Sequence, residues 1–202
     1  MSVKRSRITG AAAWMAAEMA ADARWSFPLT AEEVAEIDAA LAHARKKSVP
    51  WETLTLADFP LPRLAGKLDA LAEELENGRG LARLTGLPVE RYAEDDLRLI
   101  WMGIGVHLGL PLYQDFRGQL MRDIRDTGRD VDAEYGHKML DKSGQTFVSS
   151  KARTLSNGPL RFHNDRCDVV GLFCIRAAAR GGVNKVASTA GVHNVILARR
   201  PD

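Results

Sequence analysis

The stretch RFHNDRCD, residues 161–168, holds the side chains best suited to chemistry in this chain. His163 and Asp165 are two positions apart, and side chains at i and i+2 of a strand point to the same face. An imidazole nitrogen beside a carboxylate oxygen is a chelating pair for a borderline divalent cation. Two histidines and one carboxylate on one face of an octahedron form the site of non-heme Fe(II) oxygenases, which leaves positions open for a co-substrate and dioxygen. The spacing therefore indicates two members of a metal site.

A purely structural interpretation of the same residues stays open. His163 and Asp165 would then be surface side chains in a turn, with the carboxylate paired to Arg161 or Arg166. A lone H-x-D pattern also arises by chance. The context favours a site, because the pair lies between a loop and the apolar run VVGLFCI, and binding residues are concentrated on loops that a rigid scaffold positions.

The first half of the chain predicts helices that must position this segment. Thr30 and Glu33 form a capping box at the start of one helix. Apolar residues recur at helical spacing in three segments, namely Val34, Ile37, Leu41 and Ala44, then Leu64, Leu68, Leu71 and Leu75, and finally Leu97, Trp101, Ile104 and Leu108. Asn77-Gly78 and Gly109 end the second and third helices. The alanine-rich N-terminus, interrupted by Glu18 and Asp22, predicts an amphipathic helix and not a signal peptide.

The second half changes in character. Residues 115–145 are polar and charged, which is typical of a long irregular loop. Strand-like segments precede and follow this loop, at 80–88, 146–150, 168–176 and 183–188, and a short helix is predicted at roughly 189–199. The order predicts an α+β fold in one domain, residues 1–202, with a helical part at about 1–110, a loop at about 111–145 and a β part at about 146–202.

Composition narrows the class of partner. The chain has 28 basic and 26 acidic side chains and a formal charge of +2, so it has no broad positive field for nucleic acid. Its apolar runs are too short to span a membrane. Cys167 and Cys174 are an odd number of positions apart on one predicted strand, so their side chains should face opposite ways and we expect no disulfide between them. We therefore expect a cytoplasmic protein.

The stretch LRFHNDRCDVVGLFCIRAAARGGVNKVASTAGVHNVILARRPD resembles the taurine dioxygenase-like (TauD/TfdA) family of Fe(II)- and 2-oxoglutarate-dependent dioxygenases. The earlier stretches GLARLTGLPVERYAEDD and LIWMGIGVHLGLPLYQDFRGQLMRDIRD also resemble the upstream region of that family. The resemblance implies a double-stranded β-helix, or jelly roll, with N-terminal helices. It also implies the oxidative hydroxylation of a small molecule, with dioxygen as a further substrate.

The resemblance assigns roles to three residues. His163 and Asp165 match the first two members of the iron-binding triad, and Asn164 stands between them where threonine is usual. Asn184 falls where relatives carry a serine or threonine that helps to hold 2-oxoglutarate. An asparagine amide can still donate a hydrogen bond, although its length and shape differ.

Two functional residues of the family, a distal histidine and an arginine that holds 2-oxoglutarate, would lie beyond residue 202. His193 does not match the distal ligand, and we expect it to be a structural residue of the last helix. We therefore expect these residues to be the N-terminal part of a longer dioxygenase, with the jelly roll truncated before closure. The alternative is a non-catalytic, truncated or degenerate protein of this fold that acts as an interaction module or remnant. A zinc hydrolase at the same pair is chemically conceivable but has no resemblance to support it.

An incomplete sheet has a further consequence. Its outer strand would present unpaired backbone groups, and such edges pair readily with other chains. We therefore expect a homo-oligomer or aggregation of the isolated chain.

Overall fold

The computed structural model describes residues 5–114, 117–128, 130, 133, 144, 160–165 and 167–200. In chain order it contains helix α1 (Ala16–Ala21), strand β1 (Ser26–Pro28), helix α2 (Ala31–Lys47), a 3-10 turn (Trp51–Thr53), helix α3 (Ala65–Glu76), strand β2 (Arg83–Thr85), a second 3-10 turn (Val89–Arg91), helix α4 (Glu94–Leu108) and helix α5 (Thr189–Arg199). The chain divides into two compact units, one formed by Met1–Leu110 with Gly171–Asp202 and the other by Pro111–Val170. All of the elements named here belong to the first unit.

Helix α2 begins at the predicted capping box. The Thr30 hydroxyl accepts a hydrogen bond from the Glu33 backbone N–H at 3.3 Å, and the Glu33 carboxylate accepts one from the Thr30 N–H at 2.7 Å. The helix ends at Ser48, whose φ of 53° is left-handed and whose N–H donates to the carbonyls of Ala44 and Arg45. The predicted ends of α3 and α4 are likewise confirmed, with Asn77 and Gly109 as their C-terminal caps.

The hydrophobic core lies among α2, α3 and α4. Helix α4 packs against both other helices and against the first 3-10 turn. The core consists of Val34, Ile37, Ala40, Leu41, Ala44, Leu54, Phe59, Leu61, Leu64, Leu68, Leu71, Leu97, Ile100, Met102 and Ile104. Most of the apolar residues predicted for these helical faces are among them, whereas Leu75, Trp101 and Leu108 are only half-buried.

Polar contacts hold the same helices in register. The Glu36 carboxylate on α2 accepts hydrogen bonds from the backbone N–H groups of Arg63 and Leu64, both at 2.8 Å, and so caps the start of α3. Two ion pairs, Lys67 with Glu33 and Arg45 with Asp96, join α2 to α3 and α4 respectively. Their carboxylates are largely buried, so the loss of one partner would leave a charge poorly solvated.

The two strands form a small parallel sheet. Ser26, Phe27 and Pro28 lie opposite Arg83, Leu84 and Thr85. Strand β2 confirms the strand predicted within residues 80–88. Strand β1 was not predicted, because three residues that include a proline carry almost no strand signal of their own.

Two of the predicted strands are not strands in the structure. Segments 168–176 and 183–188 are assigned to neither helix nor strand, and their apolar side chains are mostly exposed. An apolar pattern makes a segment suitable for a sheet, but a strand exists only when a neighbour pairs with its backbone. The predicted strand at 146–150 lies outside the described residues.

The N-terminal helix is shorter than predicted. Only Ala16–Ala21 is helical, and residues 5–15 form an irregular arm that packs on α5. The Ile8 N–H donates to the Asn194 side chain and the Asn194 amide donates back to the Ile8 carbonyl, both at 2.8 Å. These long-range bonds fix an irregular arm where the alanine content alone favours a helix. Within the described residues, no helix has the length and apolarity that a membrane span requires.

Candidate metal centre

The structure brings His163 and Asp165 together within the unit Pro111–Val170. His163 Nε2 and Asp165 Oδ1 are 3.9 Å apart, and both side chains are substantially exposed. Residues 161–165 are in neither a helix nor a strand, so the two side chains lie close together without the predicted strand. An exposed pair of this kind is accessible to an ion and to small co-substrates.

A backbone contact sets the tautomer of His163. Its Nδ1 lies 2.8 Å from the carbonyl oxygen of Arg161. Since a carbonyl can only accept, Nδ1 carries the hydrogen and donates, which leaves the lone pair on Nε2. Metal-binding histidines are commonly held in this way, with one ring nitrogen donating to a carbonyl and the other facing the metal. The nitrogen that faces Asp165 is thus the one able to bind a cation.

The donor set fits a borderline divalent metal in kind. Adjacent ligands on an ion with bonds of about 2.1 Å are separated by roughly 3 Å. The 3.9 Å separation of Nε2 and Oδ1 is wider than this by less than 1 Å. A small rotation of two exposed side chains closes such a gap, so the residues present fit a metal as a two-ligand pair.

The rest of a site is not visible among the described residues. In that part of the chain, no group of three histidine, cysteine or acidic side chains is placed to hold a metal. Asp165 forms no ion pair with Arg161 among the described residues, while the exposure of His163 and Asp165 is what the structural interpretation expects. Arg166 lies outside the described residues.

Asn184 lies in the other compact unit, Met1–Leu110 with Gly171–Asp202, and is exposed. It follows Gly181 and Gly182, whose φ angles of 74° and 65° are left-handed. These angles explain why glycines precede this position, since other residues rarely adopt that conformation.

Two histidines in the helices, His107 and His193, have contacts with backbone carbonyls. His193 Nε2 lies 3.1 Å from the Ser6 carbonyl, on helix α5 as predicted. His107 Nε2 lies 2.8 Å from the Phe59 carbonyl and is half-buried against the core. In each case the ring nitrogen donates to a backbone carbonyl and is thereby occupied.

The contribution of the Arg161 carbonyl was missed by sequence reasoning. Every residue has a carbonyl, so nothing in the residue types marks this one as the group that orients His163. Only the local backbone path, which returns the carbonyl to a ring two residues later, shows it.

Comparison with known proteins places the chain in a family. The family model described as "Taurine catabolism dioxygenase TauD, TfdA family" matches residues 15–202. FR-33289 synthase of Streptomyces rubellomurinus is 28% identical over an alignment that covers 100% of this chain and 56% of that protein. A taurine hydroxylase-like protein of Stachybotrys chartarum is 27% identical over 94% of this chain and 47% of that protein.

The chain therefore spans about half the length of these curated relatives. The family match nevertheless extends over nearly all of it, including both the helical core and the His163–Asp165 pair. This protein belongs to the TauD/TfdA dioxygenase family.

Proposed function

We propose that this chain provides part of an Fe(II)- and 2-oxoglutarate-dependent dioxygenase that hydroxylates a small molecule. The observation that carries the proposal is the pair itself, with His163 Nε2 facing Asp165 Oδ1 at 3.9 Å in a chain of this family. The Arg161 carbonyl supports it, because it leaves the metal-facing nitrogen free of hydrogen.

Each residue has a distinct role in this proposal. His163 and Asp165 hold the metal, and a bound Fe(II) supplies the redox chemistry that activates dioxygen. The Arg161 carbonyl keeps the imidazole in one tautomer and orientation. Asn184 donates its amide to a carboxylate oxygen of 2-oxoglutarate, as a hydroxyl does in relatives that carry serine or threonine there.

The fold proposed for this function is a partial jelly roll within one domain, residues 1–202. The β part of this jelly roll is proposed for the region at about 146–202. The helical part at about 1–110 supports the sheet, and the loop at about 111–145 is the region available for substrate contacts.

A non-catalytic protein of the same family is the second candidate. It is favoured by one observation, that the described residues bring together only two metal ligands. Two exposed ligands hold a metal weakly, since structural and catalytic metal sites use at least three protein groups. The two candidates differ in whether the chain assembles a ternary complex with metal and 2-oxoglutarate.

Anaerobic addition of Fe(II) and 2-oxoglutarate tests this difference. A visible charge-transfer absorption band is expected for the unchanged chain and lost in His163→Ala and Asp165→Ala. His43→Ala is the matched control, because His43 is an exposed histidine on α2, and it should keep the band. Asn184→Ala should raise the 2-oxoglutarate concentration for half-saturation while Fe(II) binding, measured by calorimetry, stays the same.

Each outcome has a clear meaning. Loss of the band in both site variants, with the control unchanged, supports the proposed metal site. A folded chain that gives no band at any concentration contradicts it and favours the non-catalytic candidate. A band that survives His163→Ala but disappears in His193→Ala would show that the metal is bound at His193 on helix α5 instead.

A further inference from the structure

A cavity of about 460 Å³ is lined mainly by the N-terminal arm and helix α1, in the unit that contains the helical core. Ile8 and Trp14 line it from the arm, and Met19 lines it from α1. A volume of this size is typical of pockets that hold small molecules. The tryptophan ring and the two aliphatic side chains provide contact surface for an apolar group.

The arm is held in place by contacts on the side of α5 and beside α3. Asn194 of α5 is hydrogen-bonded to both backbone groups of Ile8 at 2.8 Å. The Trp14 indole N–H donates to the Arg79 carbonyl at 2.9 Å. Because these contacts fix the lining before a ligand arrives, little conformational entropy is lost on binding.

Most of the charged groups around the cavity are already paired. Arg24 Nε donates to both carboxylate oxygens of Asp22, at 3.0 and 2.9 Å, and Arg24 Nη2 donates to Oδ2 at 2.7 Å. Arg79 forms ion pairs with Asp22 and with Glu74. The hydrogen bonds from Arg24, and then from Arg79, hold the pKa of Asp22 well below its usual range, so this carboxylate stays ionised. These side chains therefore satisfy one another.

Two lining residues of opposite charge, Arg7 and Glu18, have no ion-pair partner among the residues that the structure describes. The Arg7 guanidinium makes no hydrogen bond to a described residue. Glu18 uses only Oε2, which accepts a hydrogen bond from the Met15 N–H at 2.6 Å. Both side chains are exposed and thus accessible to a solute. One positive and one negative group beside an apolar lining are complementary to a zwitterion that carries an apolar group.

We propose that this cavity binds a free amino acid with an aromatic or large apolar side chain. Arg7 binds the carboxylate of the ligand through its paired N–H groups, and Glu18 binds the ammonium group through Oε1. The side chain of the ligand lies against Trp14 and Met19, because aromatic rings pack well on a ring and on a thioether.

Titration of the full chain with L-phenylalanine, without metal, tests the site. Binding is followed through the NMR signal of the Trp14 indole N–H, which is assigned by its loss in Trp14→Phe. We expect a saturable shift of this signal. Phenethylamine lacks the carboxylate and hydrocinnamate lacks the ammonium group, so each should bind about tenfold more weakly than L-phenylalanine.

Variants of the two charged residues match each group of the ligand to its partner. Arg7→Gln should weaken L-phenylalanine binding about tenfold and leave phenethylamine binding unchanged, because that amine has no carboxylate to lose. Glu18→Gln keeps an acceptor for the Met15 N–H, and it should weaken L-phenylalanine binding but leave hydrocinnamate binding unchanged. Arg63→Gln, at an exposed arginine outside the lining, is the matched control and should keep the original affinity.

A further variant tests the role of the arm. Asn194→Ala removes both hydrogen bonds to Ile8 and no charge from the lining, so it should weaken all three compounds to a similar extent. Circular dichroism checks that each variant is folded. The proposal would be overturned by a folded chain whose Trp14 signal shows no saturable shift, by an Arg7→Gln variant that weakens all three compounds equally, or by an Asn194→Ala variant that changes none.

This result is separable from the proposed enzymatic function. The lining residues belong to the unit formed by Met1–Leu110 with Gly171–Asp202, whereas His163 and Asp165 belong to Pro111–Val170. The titration contains neither iron nor 2-oxoglutarate, so its failure would leave the proposed metal site untouched.

Discussion

The helical region, residues 30–108, and the segment 160–188 contain similar apolar side chains in opposite environments. Phe59, Ile37 and Ile100 are fully buried in the first region. Phe162, Leu172 and Val183 in the second are all more than half exposed. The difference lies in partners and not in residue types. Helices bond their own backbone and need only a packing surface, whereas extended segments need another strand for both backbone and side chains.

This comparison places the stability of the chain in its helices. Burial of apolar area is the main favourable contribution to folding, and among the described residues the buried apolar side chains lie between Val34 and Ile104. The proposed metal ligands, His163 and Asp165, lie elsewhere in the sequence. Substitutions can therefore address the helical core and the proposed site one at a time.

The largest expected difference in unfolding free energy comes from replacing one leucine by alanine in each region. Leu68→Ala removes a side chain that is 1% exposed and should lower the free energy of unfolding by about 2–5 kcal/mol. Leu160→Ala, at a side chain that is 46% exposed, should change it by no more than about 0.5 kcal/mol. Urea unfolding followed by circular dichroism measures both. Equal losses would show that the 160–188 segment is packed as tightly as the helices.

Alanine substitutions at two glycines of α4 should have intermediate effects on stability, of opposite sign to each other. Gly103 is buried, and a Cβ there would overlap the Phe59 ring, whereas nothing lies within 4 Å of one at Gly105. Gly103→Ala should cost about 1–3 kcal/mol through overpacking, despite the gain in helix propensity. Gly105→Ala should stabilise by about 0.5–1 kcal/mol through that propensity alone. Thermal unfolding of the two variants should move the midpoint in opposite directions, and a shared direction would contradict the close contact with Phe59.

Local sequence signals predicted most of the helical region. Thr30 and Glu33 mark the start of α2 because each bonds the other within one turn, and Gly109 marks the end of α4 for similarly local reasons. The proximity of His163 and Asp165 was predictable in the same way, since it depends on two neighbouring positions.

Features that depend on distant partners were not predictable. Strand β1 exists because Ser26–Pro28 pairs with Arg83–Thr85, and the N-terminal arm is irregular because Ile8 is hydrogen-bonded to Asn194. The segments at 168–176 and 183–188 failed as strands for the same reason, because their apolar patterns contain no information about whether a partner is available. A third metal ligand is equally a non-local property, which spacing around residue 163 does not reveal.

The smallest expected effect is a pH dependence that differs between two aspartates. The Asp58 carboxylate accepts hydrogen bonds from the Thr55 hydroxyl at 2.6 Å and from Lys47 Nζ at 2.9 Å. These contacts lower the pKa of Asp58 from 3.8 to about 2. Asp165 has no hydrogen bond to another described residue and is exposed, so it serves as the comparison.

Since the pKa of Asp58 is lower in the folded chain, its charged form stabilises the fold. That contribution is complete above the unfolded value of 3.8 and is lost as the pH falls towards about 2. Asp58→Asn should therefore lower the urea midpoint near neutral pH, and the deficit should shrink as the pH falls through this window. Asp165→Asn, at an exposed carboxylate without a hydrogen bond to another described residue, should lower the urea midpoint near neutral pH by less than Asp58→Asn does. A deficit in Asp58→Asn that stays constant on acidification would mean that its hydrogen bonds stabilise the turn regardless of charge.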